Sequence, residues 1–250
     1  MLTLFWGVAI GLVLGLLGGG GGMVAIPVLI YILHYPFRVA VGSSLALVLF
    51  GALPAILLYW RKKQIDLPTA LIMGLGGALG STLGSRLSAF VPREALLWLL
   101  LVLMALSAWN MLQSKSKAIM ASPSSEQPNR NRWKLILAGF FVGILTGLVG
   151  VGGGFLLVPV LMLFGGYNPR VAIATSLLVI GVNAAFGTAG YLDIIPRSEP
   201  GFLWLVLGSV LGSAAGFLVS FRVSESHLKK GFGLLLIGLI LLLVLFPPMG

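Results

Sequence analysis

The chain has no cysteine and few charged residues. Of its 250 residues, 9% are charged and 58% are hydrophobic, and the mean hydropathy is +1.09. Soluble domains average about 25% charged residues, so this composition excludes an ordinary soluble domain and indicates a membrane protein. The absence of cysteine excludes disulfides, thiolate chemistry and cysteine-based metal sites. We expect no metal site and no cofactor.

Acidic residues are also scarce, and none lies in the middle of a hydrophobic segment. The six are Asp66, Glu94, Glu126, Asp193, Glu199 and Glu225. Proton relays and cation sites inside membranes depend on such carboxylates, so neither is expected here. The hydrophobic segments also contain no nucleophile paired with a base and no metal-ligand cluster. An intramembrane enzyme is therefore the least favoured class of function.

Long hydrophobic runs, by contrast, are abundant. Runs such as 96–112, 202–221 and 234–246 approach or reach the roughly 20 residues that a helix needs to cross a bilayer. The short alternating strands of an outer-membrane barrel are absent, so the runs indicate an all-α polytopic membrane protein with lipid as its partner. The formal net charge of +10 arises from basic residues in the short loops between these runs. That placement is typical of membrane topology and argues against a nucleic-acid partner.

The sequence contains an internal duplication with a constant offset, which is the distance from Gly18 to Gly150. Gly18–Gly22 is followed by Pro27, and Gly150–Gly154 is followed by Pro159, so both copies read G-x-G-G-G-x-x-x-[VI]-P. Further identical pairs at this offset are Gly7 and Gly139, Gly11 and Gly143, Gly15 and Gly147, Arg38 and Arg170, Ser44 and Ser176, Gly80 and Gly212, and Ser81 and Ser213. Self-similarity of this kind predicts two copies of one structural unit.

Each copy predicts two short helices followed by three longer ones. The pieces 4–17 and 23–33 flank the first glycine run and, at about 21 Å and 17 Å, are too short to cross a membrane. The longer helices are expected at 39–60, 67–87 and 94–112, of which 67–87 is rich in small residues and reads as an interior helix. The second copy predicts pieces at 134–149 and 155–165, with longer helices at 170–191, 201–221 and 228–246. The predicted units are a first repeat at 1–112, a polar cytoplasmic linker at 113–132 and a second repeat at 133–250.

The positions of lysine and arginine favour one path for the broken helices. If each broken element crosses, the chain has eight spans in two parallel repeats, and the basic residues divide nine against seven. If each re-enters, the chain has two inverted repeats, each a re-entrant half-helix hairpin plus three transmembrane helices, and the division is twelve against four. The positive-inside rule favours the inverted arrangement, with both termini periplasmic or extracellular. The eight-span arrangement stays as the alternative.

The glycine runs predict the binding site. Irregular backbone survives at membrane depth only where protein or a wet cavity surrounds it. Bare backbone amides, together with the positive ends of helices that begin near Met23 and Phe155, favour an anion. We predict a small anionic substrate bound near the midplane by backbone, hydroxyl and amide groups of Gly20, Gly21, Gly22, Ser43, Ser44, Gly152, Gly153, Gly154, Thr175, Ser176 and Asn183.

Each of these residues also has a purely structural interpretation. The glycines alone would allow close packing or a turn, and the hydroxyl and amide side chains would bond between helices. Arg38 and Arg170, at equivalent hairpin exits, are interpreted as interfacial anchors rather than ligands. His34 has Gly166 at the equivalent position, so a role shared by the two copies is not expected of it.

With its two G-x-G-G-G-x-x-x-[VI]-P motifs, the chain resembles the sulfite exporter TauE/SafE family, also called TSUP permeases. The glycine-spaced helices before the motifs and the segments 42–45 and 174–177 after them carry the same resemblance, which covers nearly all 250 residues. It implies movement of sulfite, sulfonate or other organosulfur or small organic anions across the bacterial inner membrane. Similar thiosulfate importers use pore cysteines, so this cysteine-free chain departs from them.

The first hypothesis is therefore a transporter of small anions that works by alternating access. A passive anion channel on the same scaffold is the alternative, and a non-transporting membrane scaffold is third. With the cell interior negative, an anion is driven outward by about 2.3 kcal/mol per charge per 100 mV, so export needs no coupled ion. The sequence leaves open the anion, the direction, any coupling ion and the oligomeric state, a homo-oligomer included.

Overall fold

The computed structural model describes residues 2–17, 21–113, 132–167, 169–197, 199–220 and 225–246. These residues form ten helices and no strand. In chain order the helices are α1 (Leu2–Leu17), α2 (Gly21–Tyr31), α3 (Phe37–Arg61), α4 (Leu67–Leu87), α5 (Arg93–Gln113), α6 (Arg132–Val149), α7 (Gly154–Gly165), α8 (Pro169–Ala189), α9 (Pro200–Ser220) and α10 (Glu225–Leu245). The linker predicted at 113–132 lies almost entirely outside the described residues, so the division into domains stays a prediction.

The helices follow the duplication. The helices α1 to α5 correspond in order to α6 to α10, and the short helices α2 and α7 come directly after the two glycine runs. Pro27 and Pro159 lie inside these short helices at equivalent positions. Proline has no backbone N–H, so each short helix lacks one of its own hydrogen bonds. The helix α2 begins at Gly21, earlier than the predicted start at Met23, because the last two glycines of the run are helical.

Length and composition support a membrane protein. Four of the described helices are long and apolar enough to cross a bilayer, namely Phe37–Arg61, Leu67–Leu87, Val171–Ala189 and Pro200–Ser220. The helices α5 and α10 also have 21 residues each, and parts of both fall outside the described side chains. Four of the six predicted spans are therefore supported.

The helix α4 is packed on one side only, which corrects the prediction of an interior helix. Its glycines are buried, whereas Leu75 and Leu79 are 69% and 70% exposed. Exposed leucines at this density are unfavourable in water and favourable in lipid. The outer side of α4 is therefore an exposed apolar surface, and the small residues serve its inner side.

Two ladders of glycines hold the helices together. In the first, Gly7, Gly11 and Gly15 of α1 face the backbone of Leu205, Ser209 and Ser213 of α9. A Cβ atom at Gly11 would lie 2.1 Å from the Ser209 carbonyl oxygen, so only glycine fits. Gly208, Gly212 and Gly216 of α9 face α1 in the same way. The residue numbers rise together along both helices, so α1 and α9 run parallel.

The second ladder repeats the first at the offset of the duplication. Gly139, Gly143 and Gly147 of α6 face Met73, Gly77 and Ser81 of α4, so these two helices also run parallel. The pairs α1–α9 and α4–α6 are the most extensive helix contacts in the described part of the chain. Each half thus packs its first helix against the fourth helix of the other half. The two halves share one interleaved core.

Side-chain hydrogen bonds fix the direction of the central helices. Ser213 and Ser209 of α9 donate to the carbonyl oxygens of Gly51 and Leu47 of α3, so α3 runs parallel to α9. On the other side, Ser81 of α4 donates to the Asn183 carbonyl of α8 at 2.7 Å. Gly77 of α4 packs against Asn183, and Ser81, four residues later, packs against Gly187, four residues after Asn183. The helix α8 therefore runs parallel to α4.

The helices α3 and α8 cross at the centre and run in opposite directions. Gly42 of α3 packs against Tyr191, which follows α8, whereas Gly187 packs against Leu45 and Gly181 against Ile56. As the residue number rises along α3, that of its neighbour on α8 falls. This antiparallel pair is buried along much of its length.

Candidate functional site

The two glycine breaks meet in the centre of the structure. A Cβ atom at Gly22 would lie 2.9 Å from the Gly152 nitrogen, 3.0 Å from the Gly150 oxygen and 3.2 Å from the Val151 Cα atom. Gly18, Gly19 and the predicted site residue Gly20 lie outside the described residues. Gly21, the residue preceding Gly22, packs against Leu14 instead. Breaks from the two halves of the sequence are therefore in direct contact.

The second break has a backbone that glycine favours. Gly150 and Gly153 have φ angles of 79° and 67°, in the left-handed region that side chains rarely adopt. The Ser44 Oγ atom lies 2.8 Å from the Gly150 carbonyl oxygen and 2.7 Å from the Val41 carbonyl oxygen, so its single proton is shared between these two acceptors. The predicted site residue Ser44 thus lies at the break, and its hydroxyl stabilises the loop.

The contact between the breaks leaves no room for a ligand between Gly22 and Gly152. All four of Gly22, Gly152, Gly153 and Gly154 are buried. The helix α7 begins here with Gly153 as its N-cap, and no side chain caps it. Since α2 also begins here, two helix ends with partial positive charge lie together. The open cavity expected between the breaks is closed at this contact.

Two buried polar side chains near the second break have no hydrogen-bond partner. They are Thr146, whose Oγ1 atom would lie 2.8 Å from a Cβ atom at Gly153, and the predicted site residue Asn183. Both have zero solvent exposure, and neither amide atom of Asn183 is paired. Asn183 packs directly on Gly77, which in turn contacts Gly143 of α6. Buried polar atoms without partners are costly, and a bound polar ligand or water satisfies them.

Thr146 was missed from the sequence because it belongs to neither glycine motif. Comparing the two copies reveals it, since Leu14 stands at the position equivalent to Thr146 and Gly51 at the position equivalent to Asn183. Leu14 fills the space beside Gly51 in the first copy. The surroundings of the second break are thus polar where those of the first are apolar. The difference between the copies is the signal that sequence reasoning lacked.

The remaining predicted hydroxyls lie elsewhere or are already bonded. Thr175 accepts a hydrogen bond from the backbone N–H of Asp66 at 3.1 Å, and Ser176 donates to the Ile173 carbonyl at 2.9 Å. Ser43 is buried, and its Oγ atom has no partner. Gly22 and Ser44 therefore both contact the second break, and Thr146 lies beside Gly153. Thr175 instead bonds to the residue before α4.

A tyrosine ties each short-helix exit to the other half. The Tyr167 hydroxyl donates to the Asp66 carboxylate just before α4, and the equivalent Tyr35 hydrogen-bonds Glu199 just before α9. Burial raises the pKa of Tyr35, and the nearby Glu199 carboxylate raises it further. The Tyr35 hydroxyl therefore stays protonated near neutral pH. Equivalent bonds thus form at both ends of the molecule.

A cavity of about 670 Å³ opens at the end of the protein that carries Tyr35. It is lined by the end of α2, the starts of α3 and α5, and the turn after α4. Arg38 is exposed and lines this cavity, whereas the side chain of Arg170 lies outside the described set, so the interpretation of both as interfacial anchors stays a prediction. Arg93 and His34 line the same space.

Tyr191 connects this cavity to the second break. Its side chain is 1% exposed, and its hydroxyl lies 2.7 Å from both the Ser88 Oγ atom and the Gly147 carbonyl oxygen. Ser88 lines the cavity, and Gly147 belongs to the last turn of α6 before Gly150. The ring packs on Gly42. Burial raises the pKa of Tyr191, so its hydroxyl stays protonated near neutral pH.

Comparison of the sequence with known proteins identifies a family. The sequence profile of the family described as Sulfite exporter TauE/SafE matches residues 3–243. A probable membrane transporter protein of Xylella fastidiosa is 32% identical over 246 residues, covering 95% of this chain and 92% of that protein. The probable membrane transporter protein YunE of Bacillus subtilis is 30% identical over 209 residues, covering 74% of this chain and 77% of that protein. No solved structure matches the chain.

The family profile spans nearly the whole chain, including both glycine breaks and both ladders. The names of the matched relatives describe membrane transporters and not enzymes. Together with the four apolar helices that can cross a bilayer, this match confirms the resemblance read from the motifs. The chain belongs to the sulfite exporter TauE/SafE family of membrane transporters.

Proposed function

We propose that this protein moves small anions, such as sulfite, sulfonates or related organosulfur or organic anions, across the bacterial inner (plasma) membrane. The observation that carries the proposal is the meeting of two helix N-termini at Gly22 and Gly152, beside the unpaired polar atoms of Thr146 and Asn183. Two partial positive charges repel each other in a low-dielectric interior, and an anion between them removes that repulsion. Donor hydroxyl and amide groups complete such a site.

The closed contact between the breaks supports alternating access over a passive channel. A channel needs a continuous open path, whereas Gly22 and Gly152 are in van der Waals contact. In the transport cycle that we propose, the breaks separate to admit the anion and close again behind it. The inferred substrate site contains Gly21, Gly22, Ser44, Gly152, Gly153, Gly154 and Asn183 from the sequence prediction, with Thr146 added; Gly20, Ser43, Thr175 and Ser176 stay as predictions.

We further propose that the two halves are inverted repeats with re-entrant hairpins. The helices α1 and α3 both run parallel to α9, so the chain turns back between them through α2. Ser209 packs on Gly11 of α1 and hydrogen-bonds to Leu47 of α3. Gly11 lies about as far from the start of α1 as Leu47 lies from the start of α3. Both helices thus begin at the same level. The antiparallel course of the equivalent helices α3 and α8 supports the inversion.

The proposed orientation places the basic end of the molecule in the cytoplasm. Arg61, Lys62 and Lys63 follow α3 at the end opposite the cavity that contains Arg38. The positive-inside rule assigns such a loop to the cytoplasmic side. Both chain termini then face the periplasm or the outside, and the cavity opens on that side.

The test replaces two polar residues by their counterparts in the first copy. We expect Thr146→Leu and Asn183→Gly to insert and fold, because the same framework already accommodates Leu14 and Gly51. Flux of radiolabelled sulfite or sulfoacetate into proteoliposomes should fall at least tenfold in each variant. A loss of one or two hydrogen bonds to a charged group, at about 1.5–3 kcal/mol each, corresponds to this size of effect.

The matched control is Ser107→Ala in α5. Ser107 is also buried, but its hydroxyl bonds to the Leu103 carbonyl of its own helix at 2.7 Å. Its flux should equal that of the unaltered protein. Unchanged flux in both Thr146→Leu and Asn183→Gly would refute the site, and flux that fails to saturate with substrate would favour the channel.

A further inference from the structure

The cavity at the Tyr35 end of the molecule has the composition of an organic-anion site. Arg38 and Arg93 line it, and both are cationic. No acidic residue lies among the described residues that line it. Its volume of about 670 Å³ falls in the range of small-molecule sites, roughly 300–1,000 Å³. Glu199 is close by, but it is hydrogen-bonded to Tyr35. The two guanidinium groups outnumber this one carboxylate, so the balance of charge at the cavity favours an anion.

The rest of the lining is apolar. Ile30, Phe37, Val91, Leu96 and Phe246 supply aliphatic and aromatic surface around the two arginines. The Tyr31 hydroxyl is already bonded to the Phe246 carbonyl, and the Ser88 hydroxyl donates to Ser85. The charged groups of the described lining are thus the two guanidinium groups, and the remaining surface suits carbon. A bare inorganic anion would fill a small part of this space and would leave the apolar lining unused.

The cavity lies against the elements that lead to the second break. Arg38 is near enough to Tyr191 to act on its hydroxyl electrostatically. Tyr191 in turn reaches Ser88 on the cavity side and Gly147 on the side of the break. The buried ring of Tyr191 therefore separates the cavity from the second glycine break. An anion held at Arg38 would lie on the Ser88 side of Tyr191, and Gly147 lies on the other side of its hydroxyl.

We propose that this cavity binds a small organic anion, with a sulfonate or carboxylate head at Arg38 and Arg93 and its carbon body on the apolar lining. It is a second site, distinct from the closed contact between Gly22 and Gly152. The proposal deepens the proposed function and rests on it, since the cavity is the place where the transported anion is held on the outer side of Tyr191, whichever the direction of transport. It also narrows the substrate class to anions that carry carbon.

The test measures binding of sulfoacetate to the purified full chain by isothermal titration calorimetry. We expect Arg38→Gln and Arg93→Gln each to weaken binding at least tenfold, and sulfite to bind more weakly than sulfoacetate to the unaltered protein. The matched control is Arg197→Gln, an exposed arginine at the same end that does not line the cavity. Its binding constant should not change.

Two further variants keep the test decisive. If Arg93→Gln fails to fold, Arg93→Lys retains the charge, and Arg38→Gln, whose side chain is exposed, carries the result. An unchanged dissociation constant in Arg38→Gln would overturn the proposal. Sulfite that binds as tightly as sulfoacetate would overturn the assignment to organic anions.

A phospholipid headgroup has the same chemistry, an anionic head on an apolar body, so the source of the ligand is tested separately. Native mass spectrometry should show equal retention of phosphatidylglycerol by the unaltered protein and by Arg38→Gln. Phosphatidylglycerol retention that depends on Arg38, with no sulfoacetate binding, would overturn the proposal in favour of a lipid site.

Failure of the cavity proposal is distinguishable from failure of the transport proposal. If Arg38→Gln binds sulfoacetate normally while Thr146→Leu still abolishes flux, only the cavity assignment is wrong. If sulfoacetate binding depends on Arg38 but the unaltered protein moves neither sulfite nor sulfoacetate, the cavity site stands and the transport proposal fails.

Discussion

At the scale of single residues, the differences between the two copies carry the chemistry. Identical pairs such as Ser81 and Ser213 make equivalent helix–helix hydrogen bonds. Thr146 and Asn183, which differ from their counterparts, place unpaired polar atoms at the second break. Identical residues thus keep the packing in both copies, and residues that differ supply polar groups in the second copy only.

His34 shows a difference of another kind. Its φ angle of 53° and the 64° of the equivalent Gly166 both lie in the left-handed region. Each residue follows a short helix, His34 after α2 and Gly166 after α7, so the backbone conformation is common to the two copies. The left-handed conformation of His34 therefore belongs to the fold of both copies. Glycine adopts this conformation with less strain than histidine does.

The packing of Asn183 predicts a double-mutant result. A Cβ atom at Gly77 would lie 2.0 Å from the Asn183 Oδ1 atom, so Gly77→Ala should destabilise the protein by about 1–3 kcal/mol. In the Asn183→Gly background the same change should be neutral or stabilising, because the clash is gone and alanine favours a helix by about 1 kcal/mol over glycine. Thermal denaturation followed by size-exclusion chromatography measures both effects.

The single variant Asn183→Gly serves as the reference for this cycle. Equal destabilisation by Gly77→Ala in both backgrounds would show that the two side chains do not meet. The first copy already contains the reverse arrangement, with Ser209 at the position of Gly77 and Gly51 at the position of Asn183.

At the scale of helices, the glycine ladders determine which elements pair. Small residues four positions apart let two backbones approach within the membrane, where hydrophobic association between helices is absent. The ladders join α1 to α9 and α4 to α6, so they connect the halves to each other. Pairing across the halves brings the ends of α1 and α6, and hence the two breaks, to the centre.

The ladders predict how alanine substitutions depend on position. Gly11→Ala places a methyl group 2.1 Å from the Ser209 carbonyl oxygen, so it should lower stability by about 1–3 kcal/mol. Gly238→Ala in α10, where no atom lies within 4 Å, should leave stability unchanged or raise it by up to about 1 kcal/mol. Melting temperatures in detergent compare the two variants.

An equal loss of stability in Gly11→Ala and Gly238→Ala would contradict close packing at the ladder. Gly212→Ala provides an independent check on the opposite helix, because its Cβ atom would lie 2.1 Å from the Val8 carbonyl oxygen. It should behave like Gly11→Ala.

At the scale of the whole molecule, the two ends carry equivalent but unequal structures. Tyr167 and Asp66 pair at the basic end, and Tyr35 and Glu199 pair at the other. The described cavity with Arg38 and Arg93 lies beside the second pair only. A framework with similar ends is suited to opening at one and then at the other, which is the arrangement that alternating access requires.

The absence of native cysteine makes the topology testable by single cysteines. Leu2→Cys and Pro36→Cys should be labelled from the same side by an impermeant thiol reagent, because α1 and α3 begin at the same level. Lys63→Cys should be labelled only from the opposite side, since it follows the far end of α3. All three positions are exposed.

Labelling is measured in intact cells and again after permeabilisation, which should expose all three cysteines and thus confirms that each reacts. Reaction of Leu2→Cys and Pro36→Cys from opposite sides would support eight spans in parallel repeats and would refute the re-entrant hairpins.

The sequence alone determined the class, the family and most of the helices. Its hydropathy indicates lipid as the solvent, and the constant offset between the two copies predicts the repeated order of short and long helices. Glycine runs end helices and proline at a fixed spacing marks the short ones, so these boundaries are local properties that a sequence can specify. The hydroxyls Thr175 and Ser176 show the limit, since their bonding partners were not predictable from their spacing.

The tertiary structure alone decided what lies next to what. Contact between Gly22 and Gly152, the position of Thr146 beside Gly153, and the cavity around Arg38 all join residues that are distant in the chain. These contacts depend on which helices the glycine ladders pair. The glycine spacing is the same in both ladders, so the spacing alone does not specify the partner helix. Pairing of helices is a property of complementary surfaces in three dimensions, so the sequence predicted the elements of the site and the fold determined how they meet.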